Sequence, residues 1–158
     1  MRLRTFSTEI WLPRPLSEVF DFFCNAANLD TLTPPWLHFR ILTALPIDMH
    51  QGTLIEYRLR YRAIPIYWKT EIAVWEPPHR FVDQQLKGPY RQWIHEHTFE
   101  EKEGGTLMRD RVDYAVPGWI LEPLVNALIV QPDIERIFAY RRDKMLELFG
   151  QPAAVTAR

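Results

Sequence analysis

The chain has 158 residues, of which 47 % are hydrophobic and 25 % charged, and its formal net charge is −1. We therefore interpret residues 1–150 as one globular domain and residues 151–158 as a disordered tail. The near-zero charge argues against a nucleic-acid-binding protein, and the single cysteine, Cys24, excludes an intrachain disulfide and a multi-cysteine zinc site. The sequence has neither an apolar run of membrane-spanning length nor a signal peptide, so we expect a cytoplasmic protein.

The first elements are a strand and two helices. Alternation over residues 3–11 predicts a strand, because successive strand side chains point to opposite faces. Pro15 suits the first turn of a helix, and apolar residues follow at helical spacing. These residues are Leu16, Val19, Phe20 and Phe23. Asn25 or Asn28 should end this helix, and a second short helix should end before the Pro34-Pro35 pair.

From Phe39 to Ala115 the sequence alternates in a way that indicates successive antiparallel strands. The side chains predicted to face the core are Ile55, Tyr57, Leu59 and Tyr61, then Trp68, Thr70, Ile72 and Val74, then Trp93, His95, His97 and Phe99, and finally Met108, Asp110, Val112 and Tyr114. The facing of Asp83 and Gln85 stays open, because a two-residue and a three-residue turn after their strand give opposite faces.

The Gly104-Gly105 pair is typical of a two-residue hairpin loop. With that loop, the opposed residues would be Phe99 with Asp110, His97 with Val112, and His95 with Tyr114. On the outer face Glu100 would meet Arg109, which is a favourable cross-strand charge pair. A different turn length would shift this register.

The C-terminal part predicts a long helix that starts at Pro132 and stops at Gly150. One apolar stripe runs along it, formed by Ile134, Ile137, Phe138, Met145, Leu148 and Phe149. Arg141 falls in the middle of this stripe. The preceding segment, residues 119–130, is nearly all apolar and is interrupted by Pro123. It would either cover the mouth of a cavity or pack over the edge of the sheet.

This order of elements, together with three long strings, resembles the helix-grip superfamily of START domains, birch-pollen-type allergens and polyketide cyclases (SRPBCC). The strings are VFDFFCNAANLDTLTPPWLHFRI, FVDQQLKGPYRQWIHEHTFEEKEGGTLMRDRVDYAVPG and IFAYRRDKMLELFG. They resemble a bacterial subfamily labelled as ligand-binding or cyclase/dehydrase-like.

The resemblance spans residues 3–150 and implies an α+β fold. In that fold a curved antiparallel sheet of six or seven strands wraps around the C-terminal helix, with two short helices after strand 1. A deep cavity lies between sheet and helix. The superfamily does not imply one chemistry, because function depends on the site rather than the fold.

The polar residues on the inner face allow several interpretations. His95 and His97 would bind a metal with Asp110 as third ligand, hydrogen-bond a neighbour such as Tyr114 or Asp110, or contact a ligand. Because the His-x-His spacing alone is a weak signal, we predict no metal and no cofactor. Arg141 would either pair with Asp110 or Asp83, or extend to the cavity mouth.

The leading functional hypothesis is binding of a hydrophobic or amphipathic small molecule of lipid, polyketide or isoprenoid type. The predicted apolar walls are Tyr57, Tyr61, Trp68, Trp93, Phe99 and Tyr114, and the predicted polar groups are His95, His97, Asp110 and Arg141. Residues 119–130 would make transient membrane or protein contact when the mouth is open. No nucleic-acid partner is expected, and the oligomeric state stays open.

The alternative is a polyketide cyclase or dehydratase. His95 or His97 would then act as general base, and Asp110 or Tyr114 would orient or donate. A third class, a co-chaperone or toxin-like regulator on the same fold, also stays open.

Overall fold

The computed structural model describes residues 1–151, so the predicted disordered tail lies, apart from Gln151, outside the described residues. The strands are β1 (Arg4–Leu12), β2 (Arg40–Ile41), β3 (Leu54–Tyr61), β4 (Ile64–Glu76), β5 (Arg80–Lys87), β6 (Gln92–Lys102) and β7 (Gly105–Ala115). The helices are α1 (Leu16–Cys24), α2 (Leu29–Leu32), α3 (Glu122–Val125) and α4 (Gln131–Phe149). Short 3-10 turns flank α2 at Ala26–Asn28 and Pro35–Leu37.

The seven strands form one antiparallel sheet in the order β1-β7-β6-β5-β4-β3-β2. The chain thus runs as a meander from β2 to β7, and β1 closes the other edge beside β7. The sheet curves around α4, so the predicted α+β helix-grip fold is confirmed. None of the described helices combines the length and the apolar character that crossing a bilayer requires.

The register between β6 and β7 differs from the prediction by two residues. The hairpin loop is Glu103-Gly104, with φ of 50° and 75°, rather than Gly104-Gly105. Gly105 is instead the first residue of β7. A side chain at this position would lie 2.3 Å from the Leu12 carbonyl oxygen and 2.7 Å from the Trp11 indole, so close packing against β1 requires glycine here. The turn itself is formed by Glu103 and Gly104.

This shift changes the opposed pairs but preserves the faces, because strand side chains repeat every two residues. His97 lies opposite Asp110, His95 opposite Val112, and Phe99 opposite Met108. Glu100 and Arg109 still form an ion pair on the outer face, with Arg109 Nη1 3.0 Å from Glu100 Oε2. The two residues are diagonal neighbours rather than directly opposed.

A second difference lies in β4, where the pairing with β5 shifts between Ile72 and Val74. The extra residue is a bulge, and a bulge redirects the side chains that follow it. Trp75 therefore packs against Phe20 and Phe81 in the core, while the predicted Val74 does not belong to the core.

The C-terminal helix begins earlier than predicted. The chain is helical from Trp119 to Phe149, through a 3-10 turn, α3, a wide π-type turn at Asn126–Val130 and α4. Pro132 cannot donate to a preceding carbonyl, so a wide turn just before it accommodates the proline without ending the helix. The predicted stripe is buried at four of its positions, whereas Leu148 is exposed.

Candidate functional site

A cavity of about 380 Å³ lies between the sheet and α4. Apolar clusters close it at both ends. One cluster joins α1 to the end of α4 through Phe23 and Phe149, and the other joins β7 to the start of α4 through Tyr114 and Ile134. The sheet therefore packs firmly on the helix at its ends and leaves space in the middle.

Four of the six predicted wall residues line this cavity. They are Tyr57, Tyr61, Trp68 and Trp93. Tyr57 and Trp68 stack with ring centroids 5.9 Å apart, and Trp93 meets Trp68 edge to face at 5.5 Å. These rings give one side of the cavity an aromatic surface.

The other two predicted wall residues, Phe99 and Tyr114, do not line the cavity. Phe99 packs between Phe20 and Phe23, with ring centroids 5.2 and 5.4 Å away, where α1 covers the end of the sheet. The Tyr114 hydroxyl donates to Asn126 Oδ1 at 3.1 Å and anchors the wide turn of the C-terminal helix. Both positions face inward as predicted, but helices cover them.

The predicted polar residues form a buried cluster on β6 and its neighbours. His95 Nε2 donates to Asp110 Oδ1 at 2.8 Å, and His97 Nε2 donates to Asp83 Oδ2 at 3.0 Å. His97 Nδ1 also lies 2.8 Å from Asp110 Oδ1, although its alignment does not make a hydrogen bond. The two imidazole rings are tilted by 37° with their centroids 3.8 Å apart, and Phe81 stacks on His97 with a centroid distance of 4.2 Å.

Asp83, whose facing the sequence left open, points inward. It lies opposite Ile72 on β4 and His95 on β6, and opposed residues of antiparallel strands share a face. About 20 % of its side chain is accessible, and Asp83 lines the cavity. Gln85 has a different role, because its side-chain amide donates to the Tyr90 carbonyl at 2.7 Å across the β5–β6 turn.

Asp110 belongs to the cluster but does not line the cavity. Its side chain is 7 % exposed and lies behind the two histidines. The partners of Asp110 are therefore His95 and His97. The alternative in which Asp110 pairs with Arg141 does not describe this arrangement. Arg141 makes no ion pair within 4.0 Å among residues 1–151.

Arg141 lines the cavity from α4. Its guanidinium lies 5.4 Å from the centre of the Phe138 ring. Its Nε is buried and has no hydrogen-bond partner among the described residues. An unpaired buried donor is costly, so this group is suited to an acceptor that enters the cavity.

The cluster shifts the pKa values of the two histidines in opposite directions. Burial lowers the pKa of His95, and the charge of His97 lowers it further. Burial also opposes the charged form of His97, but the carboxylates of Asp110 and Asp83 outweigh it and raise the His97 pKa. Burial opposes ionisation of Asp83 and Asp110 as well, yet the histidines hold both carboxyl pKa values below their usual range.

These shifts favour the charged form of His97, the neutral form of His95 and the ionised form of both aspartates. The Arg141 guanidinium also lowers the pKa of Asp83 from across the cavity. The arrangement gives the cavity one polar wall on which groups of opposite charge lie close together.

Tyr90 is a lining residue that sequence reasoning missed. Its ring contacts Trp93 at 4.7 Å and Trp68 at 5.7 Å, and burial raises the pKa of its hydroxyl well above the usual range. Tyr90 directly follows the Gly88-Pro89 pair. A large aromatic residue directly after a Gly-Pro turn is the signal that identifies it, since turn positions seldom need a large ring.

The helical segment of residues 119–130 has two different sides. Val125, Ile129 and Val130 line the cavity, while Glu122 is buried and forms an ion pair with Arg4 of β1. The segment thus both covers the cavity and packs over the edge strand, so the two alternatives hold together. Its outer side carries large exposed apolar residues, which are Trp119, Ile120, Leu121, Leu124 and Leu128.

Solved structures with the same fold come from plants and bacteria. A protein from Chromobacterium violaceum superposes with a TM-score of 0.71 at 12% identity, covering 94% of this chain and 99% of the other. A Thalictrum norcoclaurine synthase point mutant in complex with a transition state analogue gives a TM-score of 0.66 at 13% identity, covering 93% and 96%. Ara h 8.0201 superposes with a TM-score of 0.64 at 17% identity, covering 92% of this chain and 99% of the other.

At these identities the structural neighbours establish the fold alone. No curated protein matches the sequence. The profile of the family described as polyketide cyclase / dehydrase and lipid transport matches residues 12–131, which run from the last residue of β1 to the first residue of α4. The chain therefore belongs to the polyketide cyclase / dehydrase and lipid transport family.

Proposed function

We propose that the protein binds a hydrophobic or amphipathic small molecule in the cavity between the sheet and α4. The observation that carries this proposal is an aromatic-walled space of about 380 Å³ with polar groups on one wall. Ligand sites typically have volumes of about 300–1,000 Å³, are mostly apolar, and contain a few placed polar groups. A lipid, polyketide or isoprenoid has the matching apolar body.

The polar wall suggests what the ligand carries at one end. Arg141 offers a buried Nε without a partner, and His95 keeps its Nδ1 3.8 Å from Asp83, beyond hydrogen-bonding distance. The Arg141 Nε–H would be satisfied by an acceptor oxygen of the ligand, such as a carbonyl or carboxylate oxygen, whereas His95 Nδ1, whose ring donates from Nε2 to Asp110, would accept from a ligand hydroxyl. We therefore propose that the ligand is amphipathic and that its oxygen-bearing end lies against Arg141.

The outer side of residues 119–130 suggests where the ligand comes from. Trp119 and Ile120 are 83% and 91% exposed, and residues of the same segment line the cavity. An apolar ligand leaves a lipid surface most easily when the mouth of its binding site touches that surface. A tryptophan beside aliphatic residues is typical of segments that lie at a membrane interface. We propose that this side contacts a lipid bilayer while the ligand is exchanged.

The proposal is tested by native mass spectrometry of the protein purified from its own host. Wild-type protein should carry a small molecule that denaturation releases. Ile137→Trp fills the cavity from α4 and should abolish the bound mass, whereas Leu148→Trp alters an exposed position of the same helix and should retain it. The proposal fails if the wild type carries no molecule and also does not take up the apolar probe anilinonaphthalene sulfonate.

Acid–base catalysis is a second candidate function, and the His95–Asp110 hydrogen bond of 2.8 Å favours it. Asp110 would hold the His95 ring in place, and the other ring nitrogen would accept a proton from a bound substrate. Norcoclaurine synthase has the same fold and binds a transition state analogue, which shows that this fold accommodates enzymes.

His95→Gln distinguishes the two functions. The glutamine amide can still donate to Asp110, but it cannot accept a proton. A pure binding protein should carry the same molecule in the wild type and in the variant. An enzyme should carry a different, unconverted molecule in the variant, and mass spectrometry of the released ligands reads out this difference.

A further inference from the structure

Three potential metal-ligand atoms meet on the cavity side of the polar wall. Asp83, His95 and His97 each contribute one of them, and the three atoms lie within 4.8 Å of one another. His97 Nε2 is 3.0 Å from Asp83 Oδ2, and His95 Nδ1 is 3.8 Å from it. Ligand atoms around a first-row metal bound at about 2 Å are separated by roughly 3–3.5 Å, so only a small adjustment is needed.

The sheet itself sets this arrangement. His95 and His97 alternate on β6 and therefore share a face, and Asp83 lies opposite His95 on the neighbouring strand β5. All three residues line the cavity. Residues on regular strands hold ligand atoms more precisely than residues on loops.

Asp110 supplies a second layer behind the two rings. Its Oδ1 lies 2.8 Å from His95 Nε2 and 2.8 Å from His97 Nδ1, which are the nitrogens that face away from Asp83. Metal-binding histidines almost always direct their second nitrogen to a carboxylate, a carbonyl or water, which sets ring orientation and raises basicity. One buried carboxylate is placed to do this for both rings.

We propose that Asp83, His95 and His97 bind one divalent first-row transition metal ion, with the remaining coordination positions open to the cavity. Two imidazoles and one carboxylate suit zinc and the neighbouring first-row ions, and they leave positions for water or a ligand oxygen. The ion would replace the proton that His97 shares with Asp83. This differs from the sequence prediction of no metal, which considered Asp110 as the third ligand.

The inference goes beyond the proposed function and does not depend on the small molecule. The experiment therefore uses ligand-free, chelator-treated protein. We expect Co²⁺ to bind with one-to-one stoichiometry and to give visible absorption bands, which Zn²⁺ then displaces. In the wild type, NMR should show that Zn²⁺ moves the ring signals of two of the five histidines, His95 and His97.

Four variants localise the site. Asp83→Asn and His95→Gln should weaken Co²⁺ binding at least about 100-fold, while circular dichroism confirms that they fold. Asp110→Asn should weaken it by roughly 10–100-fold through the second layer. The matched control is His50→Ala, at an exposed histidine beside Asp48, which should leave binding unchanged.

Two results would overturn the proposal. One is the absence of saturable one-to-one binding to the wild type. The other is binding that shifts the signals of His38, His50 or His79 instead of His95 and His97. Either result leaves the small-molecule proposal intact, because that proposal is tested by the bound mass and the cavity-filling variant.

Discussion

Asp110 lies directly opposite His97 across β6 and β7, yet it accepts its hydrogen bond from His95, two residues along β6. The same oxygen atom remains 2.8 Å from His97 Nδ1. One buried carboxylate thus interacts with two imidazoles. This shared interaction makes the polar wall one coupled unit.

The coupling has consequences for stability. Asp110→Ala should cost about 3–5 kcal/mol, because it removes one of the two carboxylates that stabilise the charged form of the buried His97. The double variant with His97→Ala should cost clearly less than the sum of the single variants. The double variant with Arg141→Ala should be additive within about 0.5 kcal/mol, since Asp110 and Arg141 do not contact each other. Urea unfolding at pH 7 measures all five variants, and coupling to Arg141 instead of His97 would contradict this assignment.

The His97 charge should depend on Asp110. The titratable groups around His97 are Asp83 on β5, His95 on β6 and Asp110 on β7, and Arg141 on α4 lines the same cavity. Because the carboxylates raise the His97 pKa, Asp110→Asn should lower it, and NMR titration of metal-free protein measures the change. Arg142→Gln, at the next position of α4, should leave it unchanged. If the His97 pKa is the same in the wild type and in Asp110→Asn, the coupling is refuted.

The raised pKa also makes stability pH-dependent. A histidine with a higher pKa in the folded than in the unfolded state stabilises the fold fully below the unfolded value of about 6.5. This contribution is lost as pH rises through the folded value. In metal-free protein the loss should be present in the wild type and absent in His97→Gln. Unfolding free energies measured across this pH range test the difference.

The Glu103-Gly104 turn predicts unequal roles for the two adjacent glycines. Gly105→Ala should cost about 3 kcal/mol, because its Cβ would meet the Leu12 carbonyl oxygen and the Trp11 ring. Gly104→Ala should cost only about 1 kcal/mol, since its φ is +75° but the space around it is open. Thermal unfolding of the two variants gives the comparison. Equal costs would favour the Gly104-Gly105 loop instead.

Cys24 should react slowly as a nucleophile. Burial, and secondarily the charge of Asp21, raises the pKa of its thiol from 9.0 to about 11. At pH 8 the thiolate fraction then falls about 100-fold, and alkylation depends on the thiolate. Iodoacetamide labelling should therefore be roughly 100-fold slower in native protein than in urea. Similar rates in both conditions would show that the thiol is not protected.

Membrane contact should depend on the outer side of residues 119–130. Ile120→Glu and Leu128→Glu should abolish sedimentation with phosphatidylcholine vesicles, because a charge at these exposed positions opposes burial in lipid. Folding stability should change by less than about 0.5 kcal/mol. Leu146→Glu, at an exposed position near the other end of the C-terminal helix, should bind vesicles like the wild type. Loss of vesicle binding in this control would remove the assignment to residues 119–130.

The sequence by itself determined the order of the elements and the facing of most strand residues. Tyr57, Trp68, His95 and His97 face inward as predicted, because alternation reflects the local geometry of a strand and survives a register shift of two. The placement of Arg141 on the cavity side of α4 follows in the same way from helical periodicity.

The tertiary structure decided which of these inward residues meet. The register of β6 and β7 depends on the close approach of Gly105 to Leu12, and the facing of Asp83 depends on its pairing with His95. Phe99 and Tyr114 face inward but are covered by α1 and by the start of the C-terminal helix. These outcomes rest on contacts between residues far apart in sequence, and a periodic pattern carries no information on the distance between such residues.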